Sequence, residues 1–62
     1  MTPDQERWAE ALAVERQHGG RALEWVAGRA SELQEAGDVA GVRRMMEIWA
    51  RLMLLEEDGP RQ

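Results

Sequence analysis

His18 is the one histidine of the chain, and cysteine is absent. Disulfides, zinc ribbons, thiol nucleophiles and covalent haem attachment therefore lie outside its chemistry. A solitary imidazole also lacks the regularly spaced companions a metal site needs. At the end of a predicted helix its expected role is to cap or pack that end, where a protonated ring favours the helix dipole. Glu56-Glu57-Asp58 is acidic but lacks the Asp/Asn/Gly spacing of a calcium loop. It reads as a solvated helix terminus, at the electrostatically unfavourable end. Glu15 stands out more, because it falls on a helical face between Trp8, Ala11 and Leu12, where an unpaired charge is expensive. Arg29, set among apolar positions of the next helix, is its expected partner, and Glu15–Arg29 reads as a structural ion pair. A catalytic carboxylate would need a second functional group and a cleft. Neither is visible, so the expectation is no enzyme, no cofactor and no metal.

The remaining charge with a chemical reading is basic. Arg43, Arg44 and Arg51 gather with Glu47 and Ala40 on one narrow side of the last predicted helix. A helix-turn-helix that uses Gly37 as its turn would make this the recognition helix. Against that, Glu47 interrupts the stripe, the rest of the helix is apolar, and the formal net charge of −4 opposes the phosphate attraction that drives nucleic-acid affinity. A monomeric nucleic-acid-binding regulator is therefore the alternative reading rather than the leading one, and nucleic acid is a disfavoured partner.

The elements that carry these residues are helices. Thr2-Pro3-Asp4-Gln5 combines an N-cap hydroxyl, a proline at the first helical position, an early acid and a glutamine at the capping-box position. The first helix is expected over about 3–17, closed by His18-Gly19-Gly20. A second run over 21–36 sets Ala22, Val26, Ala30 and Leu33 on one stripe and stops at Gly37. Asp38 is placed to cap a third run over 39–57. Gly41 sits in the first turn of that run, where a small residue admits a close neighbour. No alternation of β-branched residues suggests a strand. The expected architecture is all-α, a compact three-helix bundle forming one domain over 1–57, with a C-terminal tail at 58–62.

The third helix has more apolar surface than one neighbour can cover. Met45, Ile48, Leu52 and Leu55 form one flank, and Val42, Met46, Trp49 and Met53 form the other. Together they span roughly 200°, against the roughly 100° stripe of an ordinary surface helix. Val42, Met45, Trp49 and Leu52 also follow the 3-4-3 spacing of a short helix-packing seam. Trp8, Trp25 and Trp49 are the only aromatics, one per predicted helix, and are expected to anchor the core. A chain of 62 residues buries only about 60% of its unfolded surface, and small chains commonly gain stability by association. The expectation is a bundle completed by dimerisation, with Val42, Met46, Trp49 and Met53 at the contact. The partner is a second copy or another helical protein, and the role is that of an interaction or regulatory module.

Met1 is followed by a polar, acidic start without the basic and apolar regions of a secretory signal, and Leu52–Leu55 is far too short to span a bilayer. A cytoplasmic setting with no membrane partner is expected. The segment Arg7-Trp8-Ala9-Glu10-Ala11-Leu12-Ala13-Val14-Glu15-Arg16, followed by His18-Gly19, resembles a family of short bacterial proteins of unknown function. Arg29, Ala36-Gly37-Asp38, Ala40-Gly41-Val42 and Glu47-Ile48 extend the resemblance over most of the chain. It implies a shared compact helical fold and brings no activity, cofactor or site residue with it.

Overall fold

A computed structural model describes residues 1–57; the expected tail, 58–62, lies outside the described residues. The first helix, α1 (Pro3–His18), begins as its capping chemistry dictates. The Gln5 N–H donates to the Thr2 hydroxyl at 3.1 Å, and the Thr2 N–H donates back to the Gln5 side chain at 3.0 Å. Pro3 follows at a position where no intrahelical donor is needed.

α1 does not end in a loop. A single 3-10 turn, Gly19–Arg21, leads directly into α2 (Ala22–Glu35). Gly19 takes a φ of +55°, which lets the chain change direction, and helical backbone resumes at once. The described residues thus form two helical arms, the first bent at the glycine pair, instead of the three separate rods that the sequence suggested. No strand occurs among them. The all-α expectation holds, and the number of separated helices is corrected.

The one break between arms is Ala36-Gly37-Asp38. Gly37 adopts a φ of +78°, the left-handed conformation a residue with Cβ rarely takes. The Gly37 N–H donates to the Gln34 carbonyl at 3.0 Å and the Asp38 N–H to the Leu33 carbonyl at 2.9 Å, the bond pair of a Schellman close. Asp38 then caps α3 (Val39–Glu57) by accepting the Gly41 N–H at 2.8 Å. Gly41 is small for a reason. A Cβ there would lie 2.6 Å from Asp38 Oδ2 and 3.1 Å from Leu33 Cδ1. The neighbours that need the space are the capping side chain and the α2 leucine.

α2 and α3 make the larger helix–helix contact, and α1 lies against α3 more than against α2. The fully buried core is Ala11 of α1, Ala22 and Val26 of α2, and Ile48 and Leu52 of α3. Val14, Leu23, Met45, Trp49 and Leu55 pack around it. Two of the five buried residues are alanines, so the apolar area removed from water is small. None of the three tryptophans is fully buried: Trp49 packs against the core as an anchor would, whereas Trp25 is exposed, which corrects its expected place there. Trp25 instead stacks on His18 at 4.7 Å between ring centroids. That stack packs the end of α1 against the start of α2 and gives His18 the end-packing role its position suggested.

Candidate functional site

Three ion pairs join α1 to α3. Arg51 pairs with Asp4 at 2.6 Å, Arg7 with Glu47 at 2.7 Å, and Arg44 with Glu10. Arg7 also reaches Glu10 at 2.6 Å within α1. The partners run 4, 7, 10 along one helix and 51, 47, 44 along the other, so the two helices are antiparallel. Their charges alternate in complementary order. Arg51 is fixed further: it donates to the Glu47 carbonyl at 3.0 Å, and its guanidinium lies 5.6 Å from the centroid of Trp8. Its Nε is buried without a hydrogen-bond partner, an arrangement that favours the stacked, weakly hydrated guanidinium over a lysine ammonium.

The hydrogen bond from Arg44, with the one from Arg7 behind it, holds the Glu10 carboxyl below the usual carboxylate range. Hydrogen bonds to Glu47 and Glu10 push the Arg7 guanidinium up, and the bond to Glu10 does the same for Arg44. Chemically this cluster is a neutralised clasp. Each acid of the ladder already holds an arginine, and two of the three arginines that a nucleic-acid reading requires, Arg44 and Arg51, are engaged in ion pairs with α1.

The clasp was not foreseen, and it displaces the pair that was. Glu15 is exposed, and Arg29 pairs instead with Glu32, one turn along its own helix, at 3.0 Å. The reason lies in the rotation of α1. Its inward residues are Arg7, Trp8, Glu10, Ala11, Val14 and His18, whereas Leu12 is 43% exposed. Relative to the apolar stripe of Trp8, Ala11 and Leu12, the helix is turned by roughly a fifth of a turn at about 100° per residue. That rotation carries Glu15 to the rim. The signal that could have revealed it is the pair of patterns Asp4/Arg7/Glu10 and Arg44/Glu47/Arg51, complementary when one is reversed.

The two flanks of α3 meet opposite fates. Ile48 and Leu52 are buried, with Met45 and Leu55 beside them. On the far side Val39 is 71%, Met46 59% and Met53 47% exposed, while Val42 and Trp49 are half-buried at its edge. The partly uncovered line is therefore Val39, Val42, Met46, Trp49 and Met53, spaced 3-4-3-4 and about 21 Å long at about 1.5 Å per residue. The seam written as Val42, Met45, Trp49 and Leu52 is corrected accordingly, because Met45 and Leu52 turn to the core. An open groove of about 400 Å³ also lies beside Val14, Trp25, Leu33 and Met45. Its rim charges Glu10, Arg29 and Arg44 are already paired.

The bent first arm, the capped turn at Gly37 and Asp38, and the charge-clasped α3 define a small all-helical protein with one uncovered apolar helix face. Residues 3–57 match a family of unknown function, DUF6961, and the chain belongs to it. No curated protein and no solved structure matches it. No described helix is long and apolar enough to cross a membrane.

Proposed function

We propose that the protein is a small helical interaction module that self-associates through the outer face of α3. The observation that carries this reading is the apolar line of Val39, Val42, Met46, Trp49 and Met53 along the outer flank of α3, in which Val39, Met46 and Met53 are exposed and Val42 and Trp49 half-buried. Contiguous exposed apolar surface of this kind marks interaction sites. Methionine suits an adaptable contact, and Trp49 is the residue type most often found to dominate binding energy. The small core supports the same reading, since five buried residues that include two alanines leave stability to be gained from a second copy. No catalytic step belongs to this function, and a cytoplasmic setting is part of it.

Sedimentation velocity across micromolar concentrations tests it. The parent chain is expected to sediment as a dimer. Met46→Glu, which places a charge in the middle of the line, is expected to weaken association on the order of a hundredfold with unchanged helical circular dichroism. A parent chain that stays monomeric throughout the range overturns the proposal.

A further inference from the structure

The bend between α1 and α2 turns on one residue. The Gly19 N–H still donates to the Glu15 carbonyl as in a helix, and the Ala22 N–H donates to the Gly19 carbonyl. His18 and Ala22 hold right-handed helical backbone on either side. Gly19 alone in this connection has a positive φ, +55° with a ψ of −126°, a mirror-image extended conformation that glycine enters freely and a residue with Cβ rarely does. Space is not the constraint, because a Cβ on Gly19 or on Gly20 would meet nothing within 4 Å. Returning Gly19 to helical φ and ψ lets α1 and α2 run on as one helix over 3–35, about 50 Å long.

The arm that swings on this bend is lightly held by apolar burial. α1 gives only Ala11 to the dry core, with Val14 packed beside it. Its remaining hold on α3 is Trp8 against Arg51 and the ladder of Asp4, Arg7 and Glu10 with Arg51, Glu47 and Arg44. Such ion pairs contribute little each, but their charge order selects the partner. A second copy of the chain presents the identical seat. Straightening gives up the His18–Trp25 stack, since residues seven apart lie about 10 Å apart along a straight helix.

We infer that α1 is an exchangeable arm: its seat on α3 accepts the α1 of a second copy, giving a reciprocal dimer, and Gly19 is the residue that keeps the arm on its own chain. Exchange re-forms the α1–α3 contacts between copies and changes only the hinge, which is why hinge substitutions govern this kind of dimer. It uses the side of α3 that faces α1, not the outer line of Val39, Met46 and Met53, and so stands apart from the association proposed above.

The test places Gly19→Ala in a Met46→Glu background, with Gly20→Ala as the control because Gly20 has no positive φ. At micromolar concentration Gly19→Ala is expected to sediment as a dimer with parental helicity, while the background and the control stay monomeric. Native cysteine is absent, so Glu10→Cys and Arg44→Cys, added together and joined by a short bismaleimide, report which copy supplies α1 whether or not the outer line associates. On denaturing gels the link is expected within one chain in the control and between chains in Gly19→Ala. A Gly19→Ala chain that stays monomeric, folded or not, overturns the exchange. A dimer linked only within chains also overturns it and leaves association through another face standing. A synthetic chain with D-alanine in place of Gly19 supplies the converse, because a D-residue prefers positive φ. It is expected to stay monomeric and to unfold at higher urea than the background; a lower midpoint overturns Gly19 as the hinge.

Discussion

α3 is gripped from two directions by different chemistry. Against α2 it sets Ile48 and Leu52 beside Val26 and Ala22 in the dry core. Against α1 it adds Ala11 to that core, but the rest of the contact is the ladder of Asp4, Arg7 and Glu10 with Arg51, Glu47 and Arg44. Apolar burial is non-directional and strong per area, so the α2–α3 side sets most of the stability. Partly exposed ion pairs contribute little each, yet they are directional, and the ladder fixes the rotation and register of α1. One interface supplies energy, and the other supplies orientation.

The largest break in that comparison comes from the core. Leu52→Ala is expected to cost about 2–5 kcal/mol. A core this small rarely supplies more than about 3–5 kcal/mol, so urea melts followed by circular dichroism at fixed protein concentration should find much of the variant unfolded without denaturant. Next comes the turn that sets α2 against α3: Asp38→Ala removes the cap on Gly41 and is expected to cost about 1 kcal/mol in the same melts.

The ladder should respond more weakly and with a pH signature. Glu10 has its folded pKa depressed, chiefly by Arg44. The folded state therefore favours the ionised carboxylate, and its stabilising effect is full above the ordinary carboxylate pKa and lost as pH falls through the depressed value. Glu10→Gln is expected to be less stable than the parent by about 1 kcal/mol or less at pH 7, a size discounted for solvent screening. The difference should shrink progressively as pH falls below the ordinary carboxylate range and through the depressed value. A difference that persists in acid would mean that Glu10 acts through packing instead. The smallest effect is expected at Glu15, since Glu15→Ala removes an exposed side chain and should shift stability by no more than about 0.5 kcal/mol. A loss of several kcal/mol there would restore a buried role for that carboxylate.

The residues that misled and those that did not differ in how far their partners lie along the chain. Thr2 with Gln5, Gly37 with Gln34, and Asp38 with Gly41 are each three residues apart, and their chemistry was readable from local spacing alone. Arg7 with Glu47 is a separation of 40, and Asp4 with Arg51 of 47. A helical wheel ranks directions within one helix and carries no information about how two helices are rotated toward each other. Leu12 was taken as inward for that reason, and Glu15 with it.

By itself, then, the sequence determined that the chain is helical, where α1 and α3 begin, where α2 closes, and that α3 bears more apolar surface than one neighbour covers. Those properties follow from caps, glycine conformations and periodicity, which act over a few residues. Only the tertiary structure decided that Gly19–Arg21 continues the helical path, that charges rather than Leu12 face α3, and that Val39, Met46 and Met53 stay outside while Ile48 and Leu52 go in. Each of these choices depends on packing and ion pairing between distant segments, where a small difference in total burial and charge complementarity selects one rotation of a helix over another.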